Sequence, residues 1–372
     1  MSDLSLILLS AGSSNRFGLD VKKHWLRIGH QPLWQFVAQN LQNTKKFSQI
    51  IIVSSSSEIE FMKNYANFTF VEGGKTRQQS LKNALAEVHG EYVLVSDIAR
   101  ACISNDFLET IISKKGESDS IVPYLNVTDT IVYNGNTIDR DKVMRIQTPQ
   151  LSRVSALKKA LLSDEEFTDE SSAIVASGGN REFILGDEDA HKITYIKDLN
   201  KIPCLKEPSN DTLSGNGFDV HAFDTQGEMW LGGVKIESDF GFLAHSDGDV
   251  ALHSLIDALL GAAGMGDIGM LFPDNDEQYK GIDSKELLQI VVQKLYNFGF
   301  IIINVDLTIA AQKPRIGKYK LAMRKTIANI LDIDMSRVNV KATTTEKLGF
   351  VGREEGVAVT SNANLKYFNW KM

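Results

Sequence analysis

Short apolar runs at Leu4–Leu9, Ile50–Val53 and Tyr92–Val95 recur between amphipathic stretches such as Trp34–Leu41 and Gln78–Val88. Runs this short and this apolar have no polar face to leave in water, so they read as strands buried on both sides. Their alternation with helical patterns predicts an α/β fold with a mostly parallel sheet. Sheets of that kind bind ligands beyond the carboxyl ends of their strands. The rhythm runs to about residue 200. Ile202–Gly217 then gathers Pro, Ser, Asn and Gly without periodicity, a linker signal. Beyond it the pattern changes: helices are expected at Val250–Leu260, Ser284–Phe298 and Tyr319–Leu331, and strands at Ile301–Ala310 and Val338–Ala342. Ser284 is placed to cap the second of these helices and Gly299 to end it. Fewer, longer elements suggest an α+β arrangement. The expected organisation is a first domain over residues 1–205, a linker over 206–214 and a second domain over 215–372.

Bulk properties narrow the partners. A chain of 372 residues is long enough for two full cores. Its net charge of -7 argues against general nucleic-acid binding, although local lysines and arginines can still hold phosphates. Cys102 and Cys204 are its two cysteines, so neither a disulfide framework nor a Cys-rich zinc site is expected, and the usage suits a reducing cytoplasm. The first apolar run is too short for a membrane span and lacks the basic flank of a signal peptide.

In the first half, Ser10-Ala11-Gly12-Ser13-Ser14-Asn15-Arg16 follows the first strand, and Lys22-Lys23-His24-Trp25 comes soon after. A small-residue loop lets backbone N–H groups approach phosphates, and Arg16 and Lys23 supply charge for a transferring phosphoryl group. Gly73-Gly74-Lys75-Thr76-Arg77-Gln78-Gln79-Ser80 opens a helix and presents N–H groups and Arg77, with Gly74 and Ser80 beside them. It is not a P-loop, because Thr69 stands where the first glycine belongs. The third strand ends in Asp97, followed by Ile98-Ala99-Arg100, and a carboxylate there suits magnesium. Taken singly, each piece is equally a connecting turn or a helix cap.

In the second half, Asp219 and His221 stand two apart, on one face if their segment is a strand. His253 enters from a helix beginning near Asp247. Two histidines and a carboxylate are a usual set for a divalent cation such as zinc, and three protein ligands leave a fourth position open. Asp247 and Asp249 read equally well as helix-start charges, Thr343–Thr345 as plain strand, and Arg353 as part of a solvated turn. The small-residue segment 261–266 reads as a close-packing or subunit surface.

The first-half pieces together resemble 2-C-methyl-D-erythritol 4-phosphate cytidylyltransferase. The similarity extends to Asp129-Thr130, Asp139-Arg140, Thr148-Pro149-Gln150, Thr168-Asp169-Glu170 and Lys192-Ile193-Thr194. It implies a Rossmann-like nucleotidyltransferase fold, with CTP held by Ala11, Gly12, Ser13, Gly74, Arg77, Ser80, Asp97 and Arg100. Arg16 and Lys23 would stabilise the reacting phosphorus, and Arg140 and Lys192, with Asp129, would hold the acceptor's phosphate. This sequence departs from the family pattern at Ser14, Lys22, Ser96 and Ala101, which leaves pyrimidine and sugar selectivity open. Ribitol phosphate cytidylyltransferases carry a similar loop.

The second half is similar to 2-C-methyl-D-erythritol 2,4-cyclodiphosphate synthase throughout residues 215–368. The carrying motifs include Phe218–Phe223, Leu243–His253, Gly266–Gly269, Ala311–Arg315 and Lys341–Phe350. The resemblance implies a metal on Asp219, His221 and His253, and transition-state stabilisation by His245 and Thr344. Ser246, Asp267, Ile268, Gly269 and Phe272-Pro273-Asp274-Asn275-Asp276 would line the substrate site. Ala311-Gln312-Lys313-Pro314-Arg315 with Thr343, Thr345 and Phe350 would form the cytosine side. Glu346 would help hold magnesium or manganese at the diphosphate, and Arg353 would be available to phosphate. Family members are trimers that share sites between subunits, so a homo-oligomer is expected.

The combined reading is a bifunctional enzyme of isoprenoid-precursor synthesis, using CTP, methylerythritol phosphate and a cytidine diphosphate substrate. A kinase must act between the two steps. No kinase loop is present, so that enzyme is expected to be a separate protein, in weak association at most. Two alternatives stay open for the first half: another acceptor such as ribitol 5-phosphate, or a non-catalytic nucleotide-binding module.

Overall fold

The computed structural model describes residues 3–371, apart from Ser13, Gln226, His245, Asp274, Asn275, Glu277, Gln278 and Lys280. Contacts divide the chain into two units, Met1–Pro208 with Asn369–Met372, and Ser209–Phe368. Among the described residues, no helix is long and apolar enough to cross a membrane.

The first unit is built on strands β1 (Leu4–Leu9), β2 (Gln49–Ser54), β3 (Thr69–Glu72), β4 (Tyr92–Asp97), β5 (Ser120–Asn126), β6 (Met144–Ile146), β7 (Gln150–Arg153) and β8 (Arg181–Leu185). They form one sheet in the order β6-β5-β7-β4-β1-β2-β3, with β8 beside β5. The pairs around β1 are parallel, whereas β7 runs against both β4 and β5. The parallel core follows from the apolar runs. Ile7, Leu9, Ile51, Val53, Val93 and Val95 pack on one face with helices α3 (Arg77–Ala86), α5 (Val154–Ala160) and α6 (Glu170–Ala176). Their alternates, Leu6, Leu8, Ile52 and Leu94, point to the other face and are equally buried. Helices α1 (Leu33–Asn43), α2 (Ser56–Met62) and α4 (Asn105–Ser113) complete the alternation.

One expectation is corrected. Cys102 and Cys204, 102 positions apart, are joined in a disulfide with their Cα atoms 5.9 Å apart. Sequence spacing hides this proximity, because the loop after β4 and the end of the unit meet only in the folded chain. At the C-terminus, Trp370 is buried in this unit and its indole donates to Arg27 O at 2.7 Å.

The second unit has five strands in one sheet, ordered β10 (Gly241–Phe242), β9 (Leu213–Asp224), β13 (Gly356–Tyr367), β11 (Phe300–Ala310) and β12 (Val338–Thr343). Three helices of at least twelve residues accompany it: α7 (Val250–Ala263), α8 (Ser284–Asn297) and α9 (Lys320–Leu331). Strand β9 starts at Leu213, so Gly215-Asn216-Gly217, whose composition suggests the end of a linker, is strand. The glycines are there for proximity. A Cβ on Gly217 would lie 1.9 Å from Ser254 O, and one on Gly215 would lie 2.1 Å from Ala258 O. Helix α7 therefore lies directly on the β9 backbone. Helix α8 is capped by Asp283 rather than by Ser284, whose hydroxyl is engaged elsewhere.

The close approach makes a stability prediction. Gly217→Ala is expected to destabilise the second unit by about 1–3 kcal/mol, the usual cost of an overpacked contact. Thermal unfolding followed by calorimetry checks it; an unchanged transition would show that helix and strand are not so close.

Candidate functional sites

Each unit gathers its candidate residues at the carboxyl ends of strands. In the first, β1 and β4 end side by side, with Leu9 paired to Asp97. The Ser10–Gly12 loop, the Gly73–Thr76 loop and the start of α3 border a cavity of about 420 Å³. Its lining includes Ala11, Gly12, Arg16, Lys23, Gly74, Arg77, Ser80, Asp97 and Lys192. Helix α3 begins here because Thr76 caps it, accepting from Gln79 N at 3.2 Å. Ser14 takes a left-handed conformation, φ +59°, which explains why a glycine suits that position. A second cavity of about 360 Å³ shares Arg16 and Lys192 and adds Arg100, Arg145, His191 and Thr194.

The charges in the first cavity are tightly arranged. Asp97 receives Lys192 Nζ at 2.6 Å, and Arg77 Nε lies 3.6 Å away. Burial works against ionisation of Asp97, but Lys192 and Arg77 outweigh it and draw the carboxyl down to about 2. Arg77 also binds Glu170 at 2.7 Å. Burial, Lys192 and Arg16 hold the Lys23 ammonium below the usual lysine range. Arg100 is buried and committed to Thr148 Oγ1 and Ala190 O, at 2.7 and 2.6 Å. Asp129 and Arg140 do not join the cavity within one chain; both are exposed, and Arg140 donates to Thr128 O. Ser13 lies outside the described residues.

In the second unit, Asp219 and His221 occupy the β9 face that meets α7, and His253 lies one turn inside that helix. Their ligand atoms all fall within 4.8 Å of one another. His221 Nδ1 is 2.8 Å from Gly248 O, an acceptor, so Nδ1 carries the proton and Nε2 is left toward Asp219. Ser284 donates its hydroxyl to Asp247 and receives His253 Nε2 at 2.9 Å, leaving His253 Nδ1 toward Asp219. Both imidazoles thus turn their second ring nitrogen toward one point, oriented by outer partners as metal ligands are. Burial opposes ionisation of Asp219, yet hydrogen bonds from the two histidines keep its carboxyl below the ordinary range. Asp249 stands apart from the triad. It is fully buried, caps α7 through Ala251 N and Leu252 N, and binds Gly232 N and Gly233 N.

Other residues form a separate place on the same sheet end. Ala311, Arg315, Thr343 and Thr344 line a cavity of about 450 Å³ with Lys318 and Lys320, which sequence reasoning missed. Asp219, Val359, Ile309 and Ala342 form one row across four strands, so this cavity and the triad stand about 14 Å apart at ordinary strand spacing. Gln312 Oε1 is buried without a hydrogen-bond partner. Lys313 pairs with Glu354, and Pro314 follows it. Thr344 donates to Glu346, and Thr345 donates to Leu348 O. Phe350 is exposed, and Arg353 is held bidentately by Glu355 in an exposed turn. Asp267 caps the turn Ile268–Leu271, which includes Gly269, while Ile268 N donates to Asp257. Phe272 is buried edge-on to Tyr279; Pro273 and Asp276 are exposed beside it. Ser246 lies 3.3 Å from His253 Nε2. His245, Asp274 and Asn275 lie outside the described residues.

Two outcomes follow from these geometries. The folded value of Asp97, about 2, lies below its unfolded value near 4. Its ionised form therefore stabilises the fold above pH 4, and that contribution is lost as pH falls toward 2. Asp97→Asn is expected to lower the urea midpoint of the first unit at pH 7 and to match the unchanged chain near pH 2; a gap that does not narrow with acid would contradict the ion pairs. Ser284→Ala is expected to weaken Zn2+ or Co2+ binding by about 10–100-fold. Calorimetric titration against a chelator reads this directly, and undiminished affinity would mean that Ser284 does not orient His253.

Residues 4–204 match the family model described as 2-C-methyl-D-erythritol 4-phosphate cytidylyltransferase, and residues 213–366 match the YgbB family. A protein of Sulfurimonas denitrificans named bifunctional enzyme IspD/IspF is 70% identical over 367 residues, covering 99% of this chain and 95% of its own. The protein of that name from Aliarcobacter butzleri is 52% identical across the full length of both chains. The solved structure of the bifunctional IspDF from Campylobacter jejuni covers both chains entirely, with 48% identity and a TM-score of 0.90. The chain belongs to the bifunctional IspD/IspF family, which joins a cytidylyltransferase and a cyclodiphosphate synthase of the non-mevalonate pathway in one polypeptide.

Proposed function

We propose that the first cavity transfers the cytidylyl group of CTP to 2-C-methyl-D-erythritol 4-phosphate, releasing diphosphate. Arg16 and Lys23 neutralise the charge that builds on the attacked phosphorus, and the Ala11–Gly12 and Gly74 backbones, with Ser80 and Arg77, hold the triphosphate. Lys192 directs the acceptor's phosphate. Arg140 and Asp129 would act where a second subunit offers them; exposed Val132, Tyr133 and Met144 nearby are what such a contact would cover. Asp97 is already engaged by Lys192 and Arg77, and among the described residues the one metal-ligand group is Asp219, His221 and His253, so Mg2+ would arrive with the nucleotide's phosphates.

The second site would close the 2-phosphorylated product into 2-C-methyl-D-erythritol 2,4-cyclodiphosphate and release CMP. Asp219, His221 and His253 would hold a divalent cation, Zn2+ by the nature of the donors, which when bound would supply Lewis-acid polarisation of the β-phosphate. The convergence of those three side chains is the observation that carries this reading. Thr344 offers its hydroxyl to the developing charge, and His245 is assigned the same role by resemblance. The basic cavity around Arg315 and Thr343, with Lys318 and Lys320, suits the cytidine side of the substrate. Its distance from the triad within one chain favours sites completed between subunits, as in a trimer. A cytoplasmic location and weak contact with the intervening kinase belong to the same reading.

Substitution in one unit should leave the other reaction intact. Arg16→Ala is expected to cut CTP-dependent diphosphate release by about 10²-fold or more while cyclisation continues. His253→Ala, or removal of metal by chelator, is expected to do the reverse. Diphosphate release and mass spectrometry of the cyclic product measure the two reactions, with ribitol 5-phosphate as the competing acceptor. Loss of both reactions from either substitution, or faster transfer to ribitol 5-phosphate, would overturn the assignment.

A further inference from the structure

One buried carboxylate in the first unit lies outside the machinery described so far. Glu58, in the first turn of α2, is 2% exposed and lines neither cavity. Its Oε1 accepts from Lys22 Nζ at 2.9 Å, His24 Nε2 at 3.1 Å and Trp25 Nε1 at 3.2 Å. Its Oε2 accepts from Ser54 Oγ and Ser55 Oγ, both at 2.8 Å. Five donors saturate two oxygens. Burial alone would favour the neutral acid, but His24 and Lys22 outweigh it and the group stays ionised.

The partners matter more than the count. Lys22, His24 and Trp25 are consecutive with Lys23 and bind Glu58; His24 also borders the nucleotide cavity, and the Lys23 ammonium lines it, 3.4 Å from Ile193 O. Ser54 is the last residue of β2, and its carbonyl accepts Gly73 N at 2.8 Å. One residue earlier, Val53 O accepts both the backbone N–H and the hydroxyl of Ser10. Glu58 thus ties together the segments carrying Ala11–Gly12, Lys23 and Gly74. A buried charge with this many partners is rarely needed for stability alone, since a packed apolar group often serves as well.

We propose that Glu58 is a positioning residue for cytidylyl transfer, holding the Lys22–Trp25 segment so that Lys23 reaches into the nucleotide cavity. The inference rests on the role given above to Lys23. Its consequence is coupling: a change at Glu58 acts through Lys23 and adds nothing once Lys23 is gone.

The test is a double-mutant cycle in the full-length chain, with Glu58→Gln, Lys23→Ala and the pair. CTP-dependent diphosphate release gives kcat and KM for CTP, and cyclisation by the same preparation reports on folding. Glu58→Gln is expected to lower kcat by about 10²-fold, the scale of a small misplacement, with KM for CTP little changed. The double variant is expected to be no slower than Lys23→Ala. Losses that multiply, or a Glu58→Gln kcat equal to that of the unchanged chain, would overturn the proposal. If Glu58→Gln unfolds the first unit, Lys22→Met takes its place: it removes one donor from a partly exposed side, and its smaller loss of kcat must also vanish without Lys23. Full kcat in Lys23→Ala alone would instead remove the underlying reading of Lys23.

Discussion

The second site depends on how closely a helix can lie on a strand. Residues Gly215 and Gly217 present bare backbone to Ser254, Ala258 and Ala262, so α7 descends onto β9 with no side chain between them. Two residues further along the same face come Asp219 and then His221, where the helix is starting and His253 is within reach. The triad is therefore a product of spacing along two antiparallel elements. Asp249 fixes the remaining freedom. By capping α7 and binding Gly232 and Gly233 it sets where the helix begins, and so where His253 stands.

Much of this was legible in the chain, for identifiable reasons. Period-two spacing put Asp219 and His221 on one face, and the apolar pattern of Val250–Leu260 put His253 on a helix. The buried strands of the first unit declared themselves because a parallel strand tolerates no polar face. What stayed hidden depends on contacts between distant segments. Gly215-Asn216-Gly217 has a linker's composition, and only the presence of α7 explains its glycines. Ser284 looks like a cap because serine is a good one; nothing local reveals that its hydroxyl lies between His253 and Asp247. Glu58 reads as an ordinary helix-start acid, and its five donors come from residues 3–36 positions away. Cys102 and Cys204 are the extreme case of the same blindness.

The two sites meet one problem, anionic phosphates brought together, by different means. The first cavity concentrates fixed cations. Burial, with Lys192 and Arg16 close by, holds the Lys23 ammonium below its usual range, and Asp97 offsets only part of this. On the proposed assignment a bound triphosphate would relieve this concentration of positive charge, so binding and charge relief would be one event. Lys23 and Lys192 are held by Ile193 O and Asp97, so on the proposed assignment these two would need little reorganisation when charge moves onto the phosphorus.

The second site orients its histidines instead, each with its outward nitrogen engaged by an acceptor. That choice suits a reaction whose product is cyclic and whose leaving group is a nucleotide. A fixed ammonium would bind every phosphate oxygen alike, whereas a cation held by Asp219, His221 and His253 would offer one open position to a single oxygen. On the proposed assignment, the basic cavity near Arg315, about 14 Å along the sheet from the triad, would let the leaving nucleotide be held by different residues from those that polarise the bond. Separation of that kind would allow CMP to depart without dragging the new ring from the triad, and it is the physical reason the proposed reading completes this site between subunits.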